Sequence, residues 1–428
     1  MSEVIATNQT ILVVGGGISG MTAALEAAEC GKQVILVEKN PSIGGRVSQL
    51  YKYFPKLCFP SCGMEINLRR MKANRNLRLL TLTQVSAVSG EAGNYSVTLK
   101  TAPRYVNENC TACGECEKAV EATFPSDYDY GMKPRKGAYL PFNMAHPQRY
   151  VLDPRIIGTP DGDKAKAACK YDAIDLDMQE KETTLTVGAI IWATGWQPYD
   201  ADRIQPYGHD RFANVVSSVE FERMLDPFGP TGGKILRPSD KKEAKNVAFI
   251  QCAGSRDRNH LKHCSRICCM ATLKQTTYLR EKFADDFKAS VYYIDIRAID
   301  RIDDFYRKVQ ADPNVSFVKS KVASITEDKA SGNPVLHGVD TEGYHRYSNP
   351  HDLVVLAVGM EPSVPKNAFP MEIVLNEEGF IEADQANGGI FAAGCSSDAL
   401  DVNRAVQSAT ASALRAIQVV NRVAGMEG

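Results

Sequence analysis

Seven of the twelve cysteines in this 428-residue chain fall into two tight groups, and an eighth, Cys169, joins the second at a distance. The first is Gln251-Cys252-Ala253-Gly254-Ser255-Arg256-Asp257 followed by His263-Cys264-Ser265-Arg266-Ile267-Cys268-Cys269, a C-x11-C-x3-C-C set. Soft thiolates select zinc or iron–sulfur clusters. Adjacent cysteines are awkward around a single tetrahedral zinc and easier at a larger cluster, so Cys252, Cys264, Cys268 and Cys269 are assigned to a 4Fe–4S cluster. His263 is either a zinc ligand or a polar neighbour. Arg256 and Arg266 supply cations that would offset thiolate and sulfide charge. Four close thiolates without metal repel one another, so a labile metal-free state is expected. The second group, Cys110-Thr111-Ala112-Cys113-Gly114-Glu115-Cys116, has C-x2-C-x2-C spacing. A second cluster, a structural zinc and a metal-free relic are all open there.

These groups need a scaffold, and the N-terminus supplies its first part. Ile11–Val14 is an apolar run that reads as a buried parallel strand. Gly15-Gly16-Gly17-Ile18-Ser19-Gly20 follows, then an Ala-rich helical stretch to Cys30 and a second strand, Gln33–Glu38. This is a G-x-G-x-x-G inside a βαβ unit. Gly15 permits the tight turn, Gly17 the approach of a pyrophosphate, and Gly20 close helix–strand packing. The helix start offers unpaired N–H groups to the anion, and Glu38 can hold ribose hydroxyls. FAD is preferred over NAD because Gly44-Gly45-Arg46 follows the second strand, as in glutathione-reductase-type flavoproteins. Ala193-Thr194-Gly195 and Gly389-Ile390-Phe391-Ala392-Ala393-Gly394 resemble that fold's later fingerprints. Cys395 stands where an acid is usual, and Asp398 or a backbone N–H is expected to substitute.

A second α/β unit starts at Asn246–Ile250. Its strand leads into the Cys252 group, where a two-dinucleotide flavoprotein carries its second glycine-rich loop. Only Gly254 is present there, so NAD(P)H binding in that place is not expected. The expected fold is α/β: a glutathione/thioredoxin-reductase-like FAD-binding Rossmann fold, a second degenerate nucleotide-binding-like domain and a small ferredoxin-like insertion. The expected parts are 1–100 and 361–428 (FAD domain), 101–182 (insertion), 183–240 (FAD return and linker) and 241–360 (second domain with its cysteines).

Composition excludes several other classes. The chain is 44% hydrophobic and 24% charged with net charge −1, so no long-range field favours nucleic acid or an anionic membrane. It has no run of 18 apolar residues and is not expected to span a bilayer. Met1–Ala6 lacks the basic and apolar regions of a secretory signal, which points to a cytoplasmic protein in which structural disulfides are disfavoured.

The cysteine motifs together with Gly389–Cys395 resemble the flavoprotein family formed by the A subunit of heterodisulfide reductase, over residues 9–428 apart from 197–245. The resemblance implies a non-standard 4Fe–4S cluster on the Cys252 set beside FAD. The implied FAD set is Gly15, Gly17, Ile18, Ser19, Gly20, Glu38, Lys39, Gly45, Arg46, Val85, Ala193, Thr194, Gly195, Gly394 and Cys395. The Cys110 group resembles a degenerate ferredoxin, and Cys169-Lys170 resembles its last ligand segment with lysine in the proline's place, so Cys110, Cys113, Cys116 and Cys169 are the implied second set. Cys58-Phe59-Pro60-Ser61-Cys62 resembles a cysteine-rich stretch of the family. Cys58 and Cys62 are a redox pair facing the flavin, ligands shared with a partner's cluster, or two buried thiols.

Without the extra terminal domains of the methanogen form, the chain is similar to the compact A subunits of quinone-interacting membrane-bound oxidoreductases of sulfate-reducing bacteria. That similarity implies an electron-transfer subunit peripheral to the inner membrane through its partners, a second flavoprotein and a membrane haem/quinone subunit. It would link the quinone pool to adenylylsulfate reductase. The rivals are a bifurcating heterodisulfide-reductase complex, a stand-alone NAD(P)H-dependent disulfide reductase using Cys58 and Cys62, and a non-catalytic scaffold.

Overall fold

The structure, a computed structural model, describes residues 6–298, 302–383, 385 and 388–426. The reading of Met1–Ile5 lies outside these residues. The chain opens with β1 (Ile11–Val14), α1 (Ile18–Glu29) and β2 (Val34–Glu38), then α2 (Pro60–Ala73), β3 (Leu77–Thr81) and an antiparallel pair, β4 (Thr83–Glu91) and β5 (Asn94–Thr101). Alternation along β1 explains the layering. Ile11 and Val13 pack with the alanines of α1, whereas Leu12 and Val14 pack with Tyr95, Val97 and Leu99 of β5.

The chain leaves the pair at Thr101 and returns at Lys181, its antiparallel partner. Between them lie α3 (Glu115–Ala119), the short pairs β6 (Thr123–Pro125) with β7 (Pro134–Lys136) and β8 (Ala138–Tyr139) with β9 (Val151–Leu152), and α4 (Pro160–Ala168). This excursion has its own small core around Val106, Val120, Leu152 and Ile156. Thr186–Gly195 then divides between two sheets. β10 (Lys181–Val187) ends the antiparallel layer, and β11 (Ala189–Trp192) joins β1 in parallel.

β12 (Trp196–Pro198) leads to the second lobe, which includes β13 (Val215–Ser217), α5 (Ser218–Leu225), β14 (Asn246–Ala253), α6 (Cys268–Phe283), β15 (Lys288–Tyr293), α7 (Ile302–Gln310) and β16 (Val315–Lys319). An antiparallel meander follows: β17 (Ser324–Asp328), β18 (Asn333–Asp340) and β19 (His345–Pro350). β20 (Leu353–Val358) completes a parallel sheet of order β13-β20-β14-β15-β16, and β21 (Met360–Pro362) pairs with β12. β22 (Ile390–Ala392) and α8 (Val402–Met426) return to the first lobe, whose sheet order is β22-β11-β1-β2-β3. In β14, Val247 and Phe249 face the helices, while Ala248 and Ile250 pack on the other side with Leu336 and Ile325 of the meander. The two lobes thus repeat one layered plan.

The stretch 197–245 does more than link. It supplies β13 and α5 to the second lobe, because Val215–Ser217 is too short to announce itself in sequence and is fixed by parallel pairing to Val354–Leu356. His209 braces this stretch, with Nδ1 2.6 Å from Asp202 Oδ1 and Nε2 3.0 Å from Glu220 Oε2. Hydrogen bonding to Glu220 first, and then to Asp202, lifts its pKa to about 9 against the opposing effect of burial. A raised pKa means the stabilisation is complete below the ordinary value near ~6.5 and is lost as pH rises through about 9. Thermal unfolding at pH 6 should show His209→Gln less stable than the parent by about 1–2 kcal/mol after solvent screening. At pH 10 the two should nearly coincide, and an equal difference at both pH values would refute the ion pair.

Candidate functional site

A cleft of about 1440 Å³ opens at the carboxyl ends of the first parallel sheet, where ligands of such sheets bind. It exceeds the ~300–1,000 Å³ of ordinary small-molecule pockets, leaving room for a dinucleotide. Gly15, Gly17, Ile18, Ser19, Glu38, Lys39, Gly45, Arg46, Val85, Ala193, Thr194, Gly195 and Cys395 all line it; Gly20 and Gly394 do not. Those two act from behind. A Cβ on Gly20 would lie 1.7 Å from the Gly15 carbonyl oxygen, and one on Gly394 1.9 Å from Ser19 Oγ. Gly17 differs, because its Cβ would meet nothing nearer than Gly45 Cα at 3.8 Å. No side chain caps the start of α1, so its first N–H groups are left for an anion. Trp192 lines the cleft, and its buried indole N–H has no partner. These features fit a pyrophosphate-bearing cofactor.

Glu38 is buried, and burial raises its pKa against the hydrogen bonds that oppose it. Its Oε2 accepts from the Gly16 N–H at 2.6 Å and its Oε1 from the Asn40 N–H at 2.8 Å. The carboxylate therefore shapes the glycine turn as well as facing the cleft. The acid near Cys395 is not Asp398, which pairs with Arg266 at 2.9 Å and is absent from the lining. Asp401 lines the cleft instead and accepts from the Arg404 N–H in the first turn of α8. The sequence reading also missed Trp192 and the far wall, which includes Tyr128, Phe142 and Tyr150 of the insertion and Arg223 of α5. Asp401 before a helix was a findable signal; the far wall comes from distant segments and had none.

Cys252, Cys268 and Cys269 are buried at the junction of β14 and α6, with Cys264 half-buried beside them. Cys268 and Cys269 open α6, whose start has no side-chain cap, and a helix N-terminus favours thiolate. A hydrogen bond to Cys268, together with burial, pushes the Cys252 thiol far up. Cys269 is lowered chiefly by its contact with Cys268, and Cys252 and Cys264 both act on it electrostatically. The four thiols share one small region, and a metal cluster would take the place of their protons. Arg256 faces Cys252 and pairs with Asp295 at 2.7 Å, while Arg266 turns away to Asp398. His263 is a neighbour, its Nε2 2.8 Å from the Met360 carbonyl oxygen.

Cys110, Cys113, Cys116 and Cys169 line one small cavity in the insertion. Among the described residues no three His, Cys, Asp or Glu converge closely enough to hold a single metal ion. The two cysteine sites share a local device. The Ala112 N–H donates to Cys110 Sγ at 3.4 Å, and the Arg266 N–H to Cys264 Sγ at 3.3 Å. Both donors are two residues beyond the cysteine and both have positive φ, 56° and 60°. Left-handed backbone is costly for side-chain-bearing residues, and here it aims N–H groups at sulfur. Cys58 and Cys62 flank Phe59, Pro60 and Ser61, which line the cleft, but neither cysteine does; Cys62 is exposed and both are free.

Residues 10–57 match the FAD dependent oxidoreductase family. Over 418 residues the chain is 37% identical to an iron-sulfur A subunit, numbered 2, of the CoB--CoM heterodisulfide reductase of Methanopyrus kandleri, covering 95% of this chain and 63% of that one. It is 38% identical over 390 residues to the corresponding A subunit of Methanocaldococcus jannaschii, covering 89% and 58%. Over most of its own length the chain is similar to the A subunits of heterodisulfide reductases. It spans about three fifths of the length of these relatives. The fold is that of thioredoxin reductase: the enzymes of T. acidophilum and Lactococcus lactis each superpose with a TM-score of 0.51 at 13% identity. They cover 96% and 97% of this chain and 98% and 99% of theirs. No helix among the described residues is long and apolar enough to cross a membrane.

The glycine geometry separates two roles in this chain. Gly17→Ala should leave thermal stability without FAD within about 1 kcal/mol of the parent and weaken FAD binding at least about tenfold, or about 1.4 kcal/mol. Gly20→Ala should destabilise the protein with or without FAD. Flavin titration and calorimetry check both, and unchanged FAD affinity in Gly17→Ala would remove the pyrophosphate from this loop.

Proposed function

We propose that the chain is the electron-carrying flavoprotein subunit of a multi-subunit oxidoreductase of the heterodisulfide-reductase type. The observation that carries this is the turn between β14 and α6. In the first lobe the same turn leaves Gly17 open to the cleft. In the second, the Cβ position of Gly254 is filled by Tyr199, 2.6 Å away. The turn also spends its N–H groups on itself: Leu261 N–H to Gly254 O at 3.0 Å, Arg256 N–H to His263 O at 3.1 Å and Asp257 N–H to Leu261 O at 3.0 Å. That argues against phosphate, and so against NAD(P)H, in the second lobe.

FAD supplies two-electron chemistry and iron–sulfur clusters supply single-electron transfer. The residues of the chain hold and shield. Gly15, Gly17, Ile18 and Ser19 bind the pyrophosphate, and Glu38 the ribose. Cys252, Cys264, Cys268 and Cys269 hold one cluster, and Cys110, Cys113, Cys116 and Cys169 a second. Tyr150 lines both the cleft and the cavity of the second set, so one side chain separates the two sites. Cys113 is exposed, which makes the insertion the place where electrons enter or leave toward a neighbouring protein. Two relatives are named as A subunits of larger enzymes: the H(2):CoB-CoM heterodisulfide,ferredoxin reductase of Methanothermobacter marburgensis and the ferredoxin:CoB-CoM heterodisulfide reductase of Methanosarcina acetivorans. Those names support work inside a complex. The finer reading, a link from a quinone pool to adenylylsulfate reductase, rests on the motif resemblance alone.

Anaerobically purified chain should contain FAD and about eight irons. Cys268→Ala and Cys110→Ala should each lose about half the iron and one electron paramagnetic resonance signal. Full iron with both signals in either variant would overturn that ligand set. NADH without partners should not bleach the flavin; rapid bleaching would favour the stand-alone disulfide reductase.

A further inference from the structure

We infer that Gln251 donates a hydrogen bond from its side-chain amide to sulfur of the group held by Cys252, Cys264, Cys268 and Cys269, and so sets that group's potential. This rests on the reading of those four cysteines as cluster ligands. Val247, Ala248, Phe249 and Ile250 of β14 are at most 1% exposed and apolar; Gln251, next in line, is 4% exposed and polar. Neither its Nε2 nor its Oε1 has a partner. A buried unpaired amide group costs about 1–3 kcal/mol, and the strand elsewhere uses side chains that avoid this cost.

Gln251 stands where the pairing of β14 with β20 shifts register, between Ile250 and Ala253, and it directly precedes Cys252, which has φ 54°. The face of β14 that carries Val247 and Phe249 packs against Cys269, Met270 and Leu273 in the first turns of α6. Ser255 and Ser265, in the same turn, are 3% and 1% exposed; neither hydroxyl has an oxygen or nitrogen partner, and that of Ser265 acts on the Cys268 thiol. Four of the eight buried side-chain polar atoms without partners among the described residues therefore belong to this one segment. Orphaned buried donors grouped around thiols are explained by a shared missing acceptor. Thiolate and sulfide sulfur are negative and accept, so the amide N–H, not its oxygen, is the end that faces them. Hydrogen bonds to cluster sulfur are one of the protein's means of setting potential; a donor favours the more negative, reduced state. Gln251 is a positioning residue in this scheme, not a ligand.

The test uses the full chain, purified anaerobically, as Gln251→Leu and Gln251→Met. Both keep the volume and remove the donor. The signal that Cys268→Ala abolishes should titrate at a lower potential by at least about tenfold in the equilibrium constant, or 59 mV for one electron. Iron content, the FAD potential and the insertion's signal should be unchanged. A coupling to a deuterium-exchangeable proton, seen in the parent by electron–nuclear double resonance, should disappear. An unchanged potential at full iron content would overturn the inference, and so would selective loss of iron from both variants, which would make Gln251 an assembly residue. Cys268→Ala retaining its iron and signal would instead sink the ligand assignment, a separately visible failure.

Discussion

Unpaired backbone N–H groups at the starts of two helices are the constraint on which this structure turns. A helix leaves its first N–H groups without intrahelical partners, and neither α1 nor α6 has a side-chain cap there. Each start follows the central part of a parallel sheet, and each offers donors to an anion. In the first lobe the turn is glycine and open, so a phosphate can reach the donors. In the second it is filled by its own chain and by thiols, two of which, Cys268 and Cys269, stand at the helix start itself. One architectural problem has two chemical answers, and the difference lies in the side chains of a single turn.

The lobes are tied together by buried charge. Glu222 of α5 is 2% exposed. It receives Lys274 Nζ at 2.8 Å, Gln275 Nε2 at 2.8 Å, Tyr278 Oη at 3.1 Å and the Tyr51 N–H at 3.0 Å. Lys274, Gln275 and Tyr278 all stand on α6, the helix that begins with Cys268, while Tyr51 lines the cleft. Arg223, also 2% exposed, reaches Asp129 of the insertion at 2.9 Å and Asp226 at 2.7 Å. Buried ion pairs return little net stability because desolvation offsets attraction, but losing one partner is costly. What these pairs supply is geometry. They hold the cleft, the insertion and the cysteine helix in one arrangement, as transfer between fixed centres requires.

Much of the first lobe was legible because its signals are local. The Gly15–Gly20 turn, its flanking strands and Glu38 lie within thirty residues, and each residue type has one physical reason to be there. The cysteine groups were legible because their close spacing in the chain is itself local, and the structure gathers each set in one place. What stayed hidden was non-local. Val215–Ser217 becomes a strand only by pairing with β20, Asp398 is diverted by Arg266 from the opposite lobe, and the far wall of the cleft is assembled from the insertion. The N–H···S turns at Ala112 and Arg266 were hidden for another reason: neither residue type announces a positive φ, and the conformation is imposed by the sulfur it serves.

The two cysteine sites differ most in their access to solvent, and this orders them on the proposed reading. In the insertion Cys113 is exposed, and Tyr171, on the cavity wall, is 49% exposed. At the α6 start three of four thiols are buried, and the loop is pinned to the FAD segment by Arg266 and Asp398. A redox centre that must meet another protein needs a short path to the surface, whereas one that exchanges with an interior cofactor is better shielded. Exposure also shifts cluster potential. Burial penalises the more negative reduced state, so the inner site needs compensating donors, and the uncapped helix start, the Arg266 N–H and Arg256 are placed to provide them.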